Sequence, residues 1–225
     1  MENFTEILQL KVNLGGLVLS FNVKTIIMTW IVMAVLILFA ILAKKNMGII
    51  PNPFQVVAEL LVSAFYNLCV DTLEDEELGK KYFPLTCALF IFLLLSNWLG
   101  IFPKLCEPTR DLNTPLGMGI MGFVIAQYAG IKEKGLKQYL KEYLDPIFFM
   151  APLNIIGEIA KVISISFRLF GNIMGGAIII IVVSYLVYGI LLPPLLNLFF
   201  GLFVGTVQAF VFTMLTLVYI SVQVK

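Results

Sequence analysis

Arg168 stands in the run ISISFRLFGNIMGG, residues 163–176, and no other charged residue occurs between Leu169 and Val224. An arginine at the centre of a bilayer costs about 2.5–3.5 kcal/mol even on insertion scales. Its guanidinium cannot escape that cost by losing a proton, because its pKa stays above ~12. Its chemistry is that of a fixed positive charge that must find water or a counter-charge. The only carboxylate after Asp145 is Glu158, about 15 Å back along a helix. Lys161 lies closer to Glu158 and competes for it. Snorkelling to the headgroups is the plainer alternative, but Glu158 and Lys161 already mark the polar start of this segment. The residues point to a guanidinium facing water or the carboxylate of a partner.

The spacing of the other polar residues agrees. At 100° per residue, Asn154, Glu158, Lys161, Ile165, Arg168, Asn172 and Gly175 share one helix face. A polar stripe on an apolar helix must meet a cavity or another protein chain rather than lipid. Gly171 and Gly175 beside it would admit a close helix neighbour. A second stripe runs through Asn197, Gly201, Gly205, Gln208, Tyr219 and Gln223. The Gln208 amide needs hydrogen-bond partners in such a setting, and an interhelical bond with Arg168 as donor is the expected solution.

These residues must be carried by membrane helices. Of the 225 residues, 60% are hydrophobic and 13% charged, and the mean hydropathy is +0.98, which excludes an ordinary soluble domain. The fold class is all-α and polytopic, in a single membrane domain over residues 1–225. Net charge is +1 with no basic patch, so no nucleic-acid partner is indicated. Histidine is absent, which excludes an imidazole relay, and Cys69, Cys87 and Cys106 lack metal-ligand spacing and suit free thiols. Residues 1–24 show no basic start followed by a cleavage site, so no signal peptide is expected.

The first span is expected at 25–43, followed by a break at Pro51-Asn52-Pro53. Residues 54–70 carry Glu59 and Asn67 and are expected to form an amphipathic surface helix. Further spans are expected at 82–102 and 115–131, with a charged surface helix within 132–145. The segment 152–190 is too long for an upright span: about 39 residues reach ~58 Å against a hydrocarbon core of ~30 Å. It must tilt steeply or break near Gly171, Gly175 and Gly176. Pro193-Pro194 is expected to form the turn into 195–223, so that the last two helices make a long, tilted hairpin. About five spans result. With the N-terminus outside and the C-terminus cytoplasmic, Lys44, Lys45, Lys80, Lys81, Lys132, Lys134, Lys137, Lys141 and Lys225 lie inside.

SISFRLFGNIMGG, followed by QAFVFTMLTLVYIS, resembles subunit a of bacterial F-type ATP synthases. The loop PTRDLNTPL and the segment NIIGEIAK are similar to the same family, and the resemblance runs from about Lys81 to the end. It implies a non-catalytic subunit of an ion-translocating complex in the cytoplasmic (inner) membrane, without a cofactor. It also implies a ring of c subunits, each with a membrane carboxylate, and peripheral-stalk b subunits as partners within the bilayer. By motif position, Arg168 matches the arginine that separates two aqueous half-channels, and Gln208 and Asn172 match the family's amides beside it. Glu158 and Lys161 match polar positions on an ion path, with Asn154 on the same stripe.

One departure stands out. Ala177 and Gly201 occupy positions where many members of that family carry a carboxylate and a histidine. The resemblance implies a proton as the translocated ion, while the missing titratable pair makes sodium a second option. A stand-alone secondary transporter that binds an anionic substrate at Arg168 is the rival from another class, although no internal repeat of the kind such folds carry is visible.

Overall fold

The computed structural model describes residues 9–14, 17–44, 53–102, 105–144, 151–186 and 192–225. The expected break at Pro51-Asn52, Lys45, and the final residues 187–190 of the expected 152–190 span lie outside them. A short antiparallel hairpin comes first, β1 (Gln9–Leu14) and β2 (Leu17–Asn22), pairing Gln9 with Asn22 through to Leu14 with Leu17. Among the described residues it is the one sheet beside the helices, and in the sequence Leu10, Val12 and Leu14 alternate with polar residues as a strand requires.

The helices are α1 (Val23–Lys44), α2 (Pro53–Leu73), α3 (Glu76–Trp98), α4 (Asn113–Lys134), α5 (Leu136–Leu144), α6 (Ala151–Leu186), α7 (Leu192–Leu198) and α8 (Gly205–Val224). Among the described residues, six helical stretches are long and apolar enough to cross a membrane. Five are the expected spans. The sixth is α2, the segment that the sequence reading lays on the surface; it packs on α3 through Phe65–Phe90 rings 4.7 Å apart and Tyr66–Phe83 rings 5.7 Å apart. Local chemistry sets the boundaries. Asp75 caps α3 by accepting from the Glu77 and Leu78 amides at 2.7 and 3.3 Å. Gly135, at φ +82°, separates α4 from α5 in a conformation that glycine adopts without strain.

The long α6 is unbroken over 36 residues, straight through Gly171, Gly175 and Gly176. Its length of about 54 Å against ~30 Å of hydrocarbon therefore requires inclination rather than a break. The prolines expected to form the following turn are instead helical: Pro193 and Pro194 sit in the first turn of α7. Proline is accommodated there because first-turn amides have no intrahelical partner. A π-helical stretch, Phe199–Val204, joins α7 to α8, so that the second arm runs through residues 192–224.

The arms are antiparallel along their length. Gly176 meets the Phe200 ring, Asn172 bonds Gln208, and Lys161 lies over the Tyr219 ring. On its other faces α8 packs against α3 and α4. Leu93, Leu169, Ala209 and Phe212 are buried in one apolar cluster, and Cys69, Tyr82, Ala126, Leu217 and Ile220 in another. Gly119 and Gly122 let α4 approach closely: a Cβ on Gly122 would lie 2.9 Å from Thr216 Cγ2, and one on Gly119 2.5 Å from Ser166 Oγ. At one end of the bundle Lys81 pairs with Glu133 at 2.5 Å and Lys225 with Glu74 at 2.9 Å. At the other end Thr25 Oγ1, at the start of α1, donates to Asp111 Oδ2 at 3.2 Å.

Gly122→Val forces α4 away from α8, because Thr216 cannot swing clear without breaking its bond to the Phe212 carbonyl. Overpacking of this kind costs about 1–3 kcal/mol. A lowered unfolding midpoint of the detergent-solubilised protein is the expected result, and an unchanged midpoint would show that this contact adapts freely.

Candidate functional site: a polar seam between two cavities

The inward face of α6 is apolar, with Val162, Ile165, Leu169 and Ile173 buried. Arg168 and Asn172 flank this face and are both exposed. Asn172 bridges the hairpin: its Nδ2 donates to Gln208 Oε1 at 2.7 Å, and Gln208 is buried at 4% exposure. The expected donor to Gln208 was Arg168. Asn172 takes that place, one turn further along α6, because it stands level with Gln208 in the antiparallel pair. Arg168 makes no hydrogen bond or ion pair among the described residues. On the exterior it is surrounded by Phe167, Ile163 and Val207, 51%, 45% and 45% exposed, with the exposed polar residues Ser164 and Asn172 one turn to either side.

Towards the start of α6, Lys161 Nζ bonds Glu158 Oε1 at 2.5 Å. The i,i+3 spacing thus gives Glu158 a partner that is not Arg168. Lys161 Nζ also lies 5.6 Å from the centre of the Tyr219 ring. A cavity of about 390 Å³ opens here, lined by Asn154, Glu158 and Lys161 from α6 and Val222 and Gln223 from α8. The Gln223 Oε1 that borders it accepts from Tyr139 OH of α5 at 3.1 Å.

A second cavity, of about 170 Å³, lies on the other side of Arg168 along α6. Asn172 and Ala177 of α6, Asn197 of α7, Gly201, and Glu107 and Arg110 from the α3–α4 loop border it. This loop is built into the helices rather than draped over them. Pro108 and Thr109 are buried, Thr109 Oγ1 donates to Asn97 Oδ1 at 2.8 Å, and Asn97 Nδ2 donates to the Gly205 carbonyl at 2.8 Å. Trp98 Nε1 adds a bond to Thr206 Oγ1 at 3.0 Å. Asn197 Nδ2 reaches the Ile101 carbonyl at 3.3 Å. Burial pushes the Glu107 carboxyl above its ordinary value, opposed by a backbone hydrogen bond and by the charge of Arg110.

All six sequence-derived site residues therefore lie along the hairpin. Asn154, Glu158 and Lys161 gather in one cavity, Asn172 and Gln208 form the seam, and Arg168 faces outwards between the cavities. Arg168 is seven positions beyond Lys161 and Asn172 four beyond Arg168, distances along the helix of about 10 and 6 Å. Sequence reasoning did not single out Glu107, Asn97 or Thr109. Glu107 and Thr109 gave no signal because a polar loop between spans is expected to be solvated, and Asn97 gave none because it stands near the exit of its span.

The family model described as ATP synthase A chain matches residues 26–221. The chain is 39% identical over 200 residues to ATP synthase subunit a of Desulfosudis oleivorans, covering 87% of this chain and 86% of that protein. It is 36% identical over 198 residues to ATP synthase subunit a of Moorella thermoacetica, covering 88% and 89%. Against ATP synthase subunit a of Geotalea daltonii the identity is 36% over 197 residues, covering 86% and 84%.

The Asn172–Gln208 bond makes a direct prediction. Asn172→Ala and Gln208→Ala each leave a membrane-buried amide or its partner unpaired, and the two losses overlap. A double-mutant cycle on unfolding in detergent gives a coupling of about 0.5–1.5 kcal/mol. Strict additivity would show that the amides do not share a bond.

Proposed function

The chain belongs to the ATP synthase A chain family, a multi-pass membrane subunit of the F-type ATP synthase, and on that premise we propose that it is the ion-translocating stator. In this reading it flanks a ring of c subunits, is held by peripheral-stalk b subunits, and performs no catalysis alone. The two cavities act as half-channels. The one bordered by Glu158 and Lys161 opens to the cytoplasm and the one bordered by Glu107 opens outside. With α2 lying on the surface and the other five stretches crossing, the N-terminus is outside and the C-terminus cytoplasmic. The gathering of Lys80, Lys81, Lys132, Lys134 and Lys225 at one end supports this orientation.

The observation that carries the reading is the exposed Arg168, which makes no hydrogen bond or ion pair among the described residues and shares a largely apolar exterior only with small or uncharged polar neighbours such as Ser164 and Asn172. A fixed charge there is unfavourable in lipid and is satisfied by a carboxylate brought by a partner. When a loaded ring carboxylate arrives, the guanidinium favours its ionised form, and the ion leaves into a half-channel. The same charge repels a cation that would otherwise pass straight from one cavity to the other. Open space beside Gly171 and Gly175, where an added Cβ meets nothing within 4 Å, fits a helix neighbour outside this chain.

Arg168→Ala removes a charge and little packing, so the complex assembles while gradient-driven ATP synthesis in proteoliposomes is abolished. Arg168→Lys fails as well, because an ammonium at this depth can lose its proton and with it the fixed barrier. Near-normal synthesis by an assembled Arg168→Ala complex would reduce Arg168 to a structural residue.

A further inference from the structure

Glu107 is the one acidic side chain bordering the cavity on the α7 side of Arg168. It enters the cavity because its loop is anchored through Thr109 and Asn97, both fully buried. Its carboxylate lies directly against Gly100. A Cβ on Gly100 would fall 1.6 Å from Glu107 Oε1 and 2.2 Å from its Cδ, so the bare backbone of Gly100 creates the space that the carboxylate fills. The same cavity reaches Asn172, one helical turn from Arg168. Ala177 and Gly201, small and neutral, leave its middle open.

From this arrangement we propose that Glu107 is the proton-exchanging group of this cavity, taking a proton from water on one side and releasing it to cavity water towards Asn172 and Arg168. The step is a plain ionisation: the carboxylic O–H bond breaks, the proton passes to water, the electron pair stays on the carboxylate, and the reverse step restores the acid. The surroundings suit a carboxylate that exchanges rather than one locked in an ion pair. Among the described residues no side chain of another residue bonds or pairs with it. Among the described residues, the charged group that borders the cavity from its own loop is Arg110, while α3, α6 and α7 present the uncharged amides Asn97, Asn172 and Asn197. Burial raises the Glu107 carboxyl above its ordinary value and so brings its ionisation towards neutral pH. A carboxylate near Ala177 and Gly201 also supplies the titratable group whose absence there makes sodium a second option in the sequence.

The inference rests on the stator reading, and the test separates the two. Gradient-driven ATP synthesis is measured in proteoliposomes containing the whole complex, across pH, with and without sodium. Glu107→Gln, which keeps the shape and removes the ionisation, is expected to lower the rate about tenfold or more, equally with and without sodium. Gly100→Ala keeps the carboxylate but displaces it, and is expected to lower the rate less. Glu107→Asp restores part of the activity with a shifted pH profile, which a merely structural role would not produce. If Glu107→Gln does not assemble, the Glu107→Asp and Gly100→Ala profiles decide: a pH shift supports the proposal and an unchanged profile overturns it. Wild-type rates and pH profile in an assembled Glu107→Gln complex overturn it, as does recovery of that variant by sodium. Arg168→Ala is run in parallel. Loss there with no effect at Glu107 rejects this inference alone, while no effect at Arg168 rejects the stator reading itself.

Discussion

A guanidinium keeps its charge at any depth in a membrane, and among the described residues no carboxylate pairs with Arg168. That constraint shapes its surroundings. The nearest acid along the helix, Glu158, is held by Lys161 at 2.5 Å, and Gln208 is held by Asn172. Local polar groups satisfy one another and leave the fixed charge facing out. An intrachain pair would have neutralised it.

The length of the helices makes the arrangement possible. An unbroken α6 of 36 residues cannot stand upright in the hydrocarbon, so it inclines. Its antiparallel partner follows it through the π-helical joint at Phe199–Val204. Cavities form towards both ends of this pair, where α5 and the α3–α4 loop meet it. Between them the arms close around Leu169, Ile173 and Ala209, all buried in one apolar cluster. These buried residues separate the two cavities near the level of Arg168. The α3–α4 loop is fixed by buried hydrogen bonds through Asn97 and Thr109, so one cavity has a wall of defined shape.

The residues legible from sequence were those whose type conflicts with their setting. Arg168, Asn172 and Gln208 are polar in apolar helices, and such positions need an explanation from any reader. Helical periodicity then placed Asn154, Glu158 and Lys161 on the face that borders one cavity. Glu107 was not legible for the opposite reason: beside Arg110 and Asp111 it looks like ordinary loop polarity, and only tertiary anchoring turns it inward. Pro193 and Pro194 misled because proline suits a helix's first turn as well as a loop. The glycines of α6 were read as possible breaks, yet the helix passes through them and Gly171 and Gly175 stay open on its outside. The stand-alone transporter reading rested on Arg168 alone and loses its footing once the family is known.

The central claim is that Arg168 lies on the surface that meets a carboxylate-bearing helix of another subunit. Oxidative cross-linking of the assembled complex tests it directly, with a cysteine at Gly171 and a second placed one turn from the ring carboxylate, in a background where Cys69, Cys87 and Cys106 are serine. A disulfide between the two subunits, formed in the membrane and lost when the second cysteine is moved to the opposite face of the ring helix, is the predicted result. A Gly171→Cys side chain that forms no such bond in the assembled complex and reacts only with a lipid-soluble thiol reagent would place this face in lipid and contradict the account.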